Sequence, residues 1–151
     1  MSFSGFAELN TPDDLLLKLR HDWARMGDDP EDQYAAFDFF VTAEHIIDWL
    51  YPDDKNARSA LRQENAILRV TSHLANGAKH FRTKDRRHSS VLNVEKSRYV
   101  AKGYVEEGYF AEPLLVHLDE EEAGLLGVDG SIDARTLASR VLQFWERKIT
   151  P

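Results

Sequence analysis

The chain has 151 residues, with 19 Lys and Arg against 26 Asp and Glu for a net charge of −7, 42% hydrophobic residues and no cysteine. That length suffices for one domain with a buried core, and the lack of cysteine excludes disulfide frameworks, thiolate zinc sites, iron–sulfur clusters and cysteine nucleophiles. The acidic balance argues against general adhesion to nucleic acid. No stretch approaches the roughly 20 apolar residues of a membrane span and the first residues carry no leader, so a soluble cytoplasmic protein with no membrane partner is expected.

Thr11-Pro12-Asp13-Asp14 is a helix start: a capping hydroxyl, Pro at the first helical position and acids facing the positive end of the macrodipole. Leu15, Leu16, Leu19, Trp23 and Met26 recur at helical spacing, and Gly27 suits the stop. Asp29-Pro30-Glu31-Asp32 opens a second helix that ends before Pro52. Phe37, Phe39, Phe40, Val41, Ile46, Ile47 and Leu50 make it apolar nearly all round, which predicts a central place in a helical core. A third helical stretch is expected from about Lys55 to Phe81, with a break near Gln63 to Asn65.

Beyond it the pattern changes. Val91 to Val94, Tyr99 to Ala101, Tyr104-Val105 and Leu114 to Val116 are short β-prone runs punctuated by Gly103, Gly108 and Pro113, which predicts a small antiparallel sheet or long hairpin. Asp119 to Glu122 with Gly124, Gly127 and Gly130 reads as a polar, flexible loop. Asp129 to Asp133 reads as a turn and a helix cap, leading to a final helix with Leu137, Val141, Leu142, Trp145 and Ile149. The expected fold is α+β, mainly α, in a single domain over 1–151: a helical bundle (11–82), a small antiparallel β insertion (89–118) and a C-terminal helix (133–149).

At 100° per residue, Glu44 and Asp48 fall within an otherwise apolar face of the second helix. Buried carboxylates need partners. Arg69, His73, Asn76 and His80 form one stripe on the next helical stretch, and antiparallel packing would bring Arg69, His73 and His80 against the two acids. Three readings are open. The group is a structural polar network, an active or ligand site with imidazole and carboxylate as general acid and base, or a zinc, manganese or iron site. No HExxH or paired ExxH signature supports the metal. The run from Lys79 to His88 holds Lys79, Arg82, Lys84, Arg86 and Arg87 against the single acid Asp85. It either complements a helix C-terminus or contacts phosphate, with Phe81 available to stack. Neither GxGxxG, GxxxxGK[ST] nor GxSxG occurs, so an ordinary nucleotide fold or hydrolase elbow is unsupported.

The segment Leu74-Ala75-Asn76-Gly77-Ala78-Lys79-His80 resembles the terminal motif of HEPN domains, small helical bundles of prokaryotic defence and toxin–antitoxin systems. The resemblance implies a homodimer acting on RNA without a metal or other cofactor, with His80 as acid/base and Asn76 as orienting group. Ala75 stands where the active motif has Arg. The phosphate-stabilising cation would then come from Lys79, Arg82 or Arg69, or the chain is an inactive relative. The wider pattern, Ala43 to Leu50, Leu74 to Phe81 and Phe144-Trp145-Glu146, also looks like a group of small bacterial proteins that brings no activity with it. Two other functions stand beside the RNA-directed one: a non-enzymatic module with a protein partner, presenting Tyr104, Tyr109 and Phe110, and a metal-dependent hydrolase.

Overall fold

The computed structural model of the chain describes residues 4–80, 90–96, 105–106, 109–110 and 113–150, with side chains for all of these except 105–106 and 109–110. Helix α1 (Pro12–Asp28) begins at a capping box: Thr11 Oγ1 accepts from the Asp14 N–H at 3.2 Å, and the Asp14 carboxylate accepts from the N–H of Thr11 at 3.0 Å and of Asn10 at 2.9 Å. The Asn10 and Thr11 hydrogen bonds to the ionised form hold the Asp14 carboxyl below its usual range. Helix α2 (Gln33–Leu50) starts on Asp32, which accepts from the N–H groups of Tyr34 and Ala35, and ends two residues ahead of Pro52.

The third helical stretch breaks at Asn65 into α3 (Lys55–Glu64) and α4 (Ala66–His80). Asn65 is extended there; its N–H donates to the Arg62 carbonyl at 3.2 Å and its Nδ2 to the Leu61 carbonyl at 2.9 Å, satisfying groups that α3 leaves open. Strand β1 (Val91–Lys96) is followed by a short antiparallel pair, β2 (Val105–Glu106) with β3 (Tyr109–Phe110), and by β4 (Leu114–Leu118). The predicted strand at Tyr99 to Ala101, together with Phe81, Arg82, Lys84, Arg86, Arg87 and Tyr104, lies outside the described residues.

The segment after β4 corrects the expectation. Residues 119–130 do not form only a flexible loop, because Glu120–Leu126 is helix α5, with Asp119 accepting from the Glu122 N–H at 2.8 Å. Three successive acids at a helix N-terminus complement its dipole, so the run that reads as solvated coil is also a helix start. Gly127 ends α5 with φ 70°, a left-handed conformation that glycine adopts without strain. Ser131–Asp133 forms strand β5, which the sequence pattern did not anticipate, and Asp133 also caps α6 (Ala134–Ile149) through the Thr136 N–H at 3.0 Å. The sheet is antiparallel in the order β1-β4-β5, with Val116 of the central strand opposite Val94 on one side and Ile132 on the other.

The fold is α+β and mainly α. Helix α2 packs on α1, α4 and α6, and α6 also covers β4 and β5. Leu16, Leu19, Phe39, Ile46, Leu137 and Trp145 fill the shared core. One side of α2 stays open, with Tyr34 and Phe37 exposed despite the helix's apolar composition. Among the described residues no helix is long and apolar enough to cross a membrane.

Candidate functional site

Arginines pin both ends of α3. Arg58 Nη1 donates to the carbonyls of Tyr51 and Pro52, beyond the end of α2, while Arg69 Nη1 of α4 donates to the carbonyls of Arg62 and Gln63 at the end of α3. Carbonyls at two helix ends thus gain charged donors, and α3 is held with no fully buried residue of its own. A cavity of about 610 Å³ opens where α2, α3 and α4 meet. Phe37, Val41, Glu44, His45 and Asp48 line it from α2, while Lys55, Arg58, Ser59, Arg62 and Gln63 line it from α3. From α4 come Arg69, Ser72, Ala75, Asn76, Ala78 and Lys79.

The electrostatics centre on Glu44, whose side chain is 13% exposed. Its Oε1 lies 2.5 Å from Arg62 Nη2. Asp48, half exposed, sits 3.6 Å from Arg58 Nε and 3.8 Å from Arg62 Nη2. Burial pushes the Glu44 carboxyl up to about 6, outweighing the pull of the Arg62 charge and hydrogen bond; the neighbouring Asp48 charge pushes the same way, and a hydrogen bond from Ser72 opposes it. Arg62 Nε is buried without an acceptor, so the guanidinium that neutralises both acids is itself incompletely satisfied.

The predicted residues divide. Glu44, Asp48, Arg69, Asn76 and Lys79 do share one cavity. The partner of the two acids is nevertheless not Arg69 or a histidine but Arg62 and Arg58 of α3. Arg69 instead grips Glu122 of α5 in a fork, with Nη2 to Oε1 at 2.8 Å and Nε to Oε2 at 3.1 Å, and Ser90 Oγ donates to the same carboxylate at 3.1 Å. His73 Nδ1 accepts the Val91 N–H at 2.9 Å, fastening α4 to β1 beside a second cavity of about 640 Å³. Phe37 of α2 and Ala78 of α4 line both cavities. His80 is exposed at the last residue of α4, outside the lining.

A stripe fanned over some 60° of a helix looks like one face in sequence, yet α4 is wedged between α2, α3, α5 and β1, so its members meet different neighbours. His73, His80, Glu44 and Asp48 are therefore not gathered as the hydrolase reading expected. Among the described residues no three His, Asp or Glu groups lie where they could hold a metal ion.

Lys55, Arg58 and Arg62 are site residues that the reading of the sequence missed. A signal was available: Arg58 and Arg62 stand four apart on their helix, as Glu44 and Asp48 do on theirs, which suits two facing ladders of opposite charge. Asn76 Nδ2 is spent on the Ser72 carbonyl at 2.8 Å, leaving its Oδ1 as an acceptor. Among the described residues, five cationic side chains and two carboxylates line the groove of a chain whose net charge is −7. The chain matches no family model, no curated protein and no solved structure.

Proposed function

We propose that this chain binds RNA, holding the phosphate backbone in the groove between α2, α3 and α4. The observation that carries the reading is the reversal of sign: five cations to two acids among the described residues of one concave lining, against an acidic whole. A concave lining with an excess of one sign focuses potential and concentrates a polyanion where the rest of the surface repels it. Arg58 and Arg62 are held by carbonyls and carboxylates and so present fixed charge. Lys55 and Lys79 are exposed and have no ion-pair partner among the described residues; they supply the charge that phosphate would neutralise.

The HEPN-like resemblance fits this reading at Asn76 and Lys79, which line the groove. Metal-independent cleavage by His80 is its catalytic form. Because His80 is exposed at the end of α4, that form needs a second copy of the chain to enclose the scissile phosphate.

The test is binding of single-stranded RNA in EDTA between about 50 and 200 mM salt. A log–log decline of affinity with salt is expected, with a shallower slope in Lys55→Ala and Lys79→Ala. Absence of binding at the lowest salt sinks the reading and leaves the protein-interaction module. Cleavage that survives EDTA and vanishes in His80→Ala identifies the catalytic form.

A further inference from the structure

We infer that the groove takes an unpaired nucleotide of RNA whose base stacks on Phe37 while its phosphates run along the cationic wall. This rests on the RNA-binding reading and adds to it the strand type and the residue that selects it. Phe37 is 52% exposed. Single exposed apolar residues are common, so exposure alone carries nothing. What distinguishes Phe37 is its position: it lines the groove itself, on the same wall of α2 as Val41, Glu44 and Asp48 and in one lining with Lys79 and Asn76 of α4. From Phe37 to Glu44 the helix rises about 10 Å, so the aromatic surface and the Glu44–Arg62 pair occupy different stretches of the groove.

An aromatic ring at one station and cations at the next is the arrangement that recognises single-stranded nucleic acid, because every base has a face to stack and every nucleotide carries a phosphate. A duplex keeps its base faces stacked on one another, out of reach of such a ring. Ser59 and Gln63 add hydroxyl and amide groups to the lining, and Asn76, whose Nδ2 bonds the Ser72 carbonyl, keeps its Oδ1 as an acceptor for a ribose 2′-hydroxyl, a contact that deoxyribose lacks.

The experiment uses the full chain and a short single-stranded RNA carrying one 2-aminopurine. Binding is expected to quench the probe in wild type and in Phe37→Trp. Phe37→Ala should bind about tenfold more weakly, without quenching and with an unchanged salt slope. A thermal melt confirms that Phe37→Ala is folded, as a half-exposed side chain allows; if it is not, the Phe37→Trp fluorescence response to unlabelled RNA decides, and no response overturns the inference. Wild-type affinity within twofold of Phe37→Ala overturns stacking while leaving RNA binding intact, provided Lys55→Ala and Lys79→Ala weaken it. Equal affinity for duplex and single strand also overturns it. No RNA binding by the wild type overturns the reading beneath it as well.

Discussion

A buried carboxylate in the α1–α2 seam and a largely shielded one in the groove on the other side of α2 show how the same chemical group serves opposite ends. Asp22 is 1% exposed, and its oxygens are spoken for: Oδ2 accepts from Lys18 Nζ at 2.7 Å and Thr42 Oγ1 at 3.2 Å, and Oδ1 lies 3.4 Å from Arg25 Nη1. Arg25 reaches on to Asp38 at 2.9 Å, and its proton is held more tightly by the Asp38 hydrogen bond. With three donors from two helices converging on it, Asp22 is a fastener. Glu44 has one close cation, an Asp neighbour and a cavity in front of it, and its carboxyl rises to about 6. Both are shielded from solvent; they differ in the number of donors that reach them and in the open space in front of Glu44.

The comparison breaks first at the groove's outer clamp. Arg69→Ala leaves Glu122 buried without its cation, and a loss of about 3 kcal/mol is expected in urea unfolding. A loss under 1 kcal/mol would mean that Ser90 and water satisfy Glu122 unaided. Asp22→Ala should cost less, about 2 kcal/mol, because Lys18 and Arg25 can turn to solvent while the Thr42 hydroxyl stays buried. RNA binding by this variant should equal that of the wild type.

Glu44→Gln sharpens the contrast through pH. The folded carboxyl keeps its proton up to about 6 whereas the unfolded one releases it near 4.5, so the native state binds more protons in that window and wild-type stability falls as pH rises through it. Relative to Glu44→Gln the wild type should lose about 2 kcal/mol between those limits, and a flat difference would remove the raised carboxyl from the account. Protonation also releases Arg62 to the groove, so wild-type affinity for RNA should approach that of Glu44→Gln as the pH falls below 6. The smallest effect falls on stability in Lys55→Ala, within about 0.5 kcal/mol, since the side chain is exposed and has no ion-pair partner among the described residues.

Local chemistry made much of this molecule legible before any packing. Thr11, Asp32, Asp54 and Asp133 each cap the helix that follows, because a short oxygen side chain reaches N–H groups two or three residues on. Pro52 and Asn65 mark where helices stop, and the β-prone run from Leu114 to Val116 marks the central strand. Even the oddity of Glu44 and Asp48 within an apolar face followed from 100° geometry alone.

Pairings across the chain were beyond that reach. Arg69 finds Glu122 at a separation of 53 residues, and His73 finds the Val91 N–H at 18. Helical spacing says which residues share a face, not which neighbour that face meets. Only tertiary packing chose Arg62 for Glu44, turned one stripe of α4 toward several partners, and left a cavity between three helices whose cations outnumber its acids. A periodic pattern fixes direction within one element, whereas a site is a distance between elements, set by the packing of the whole core.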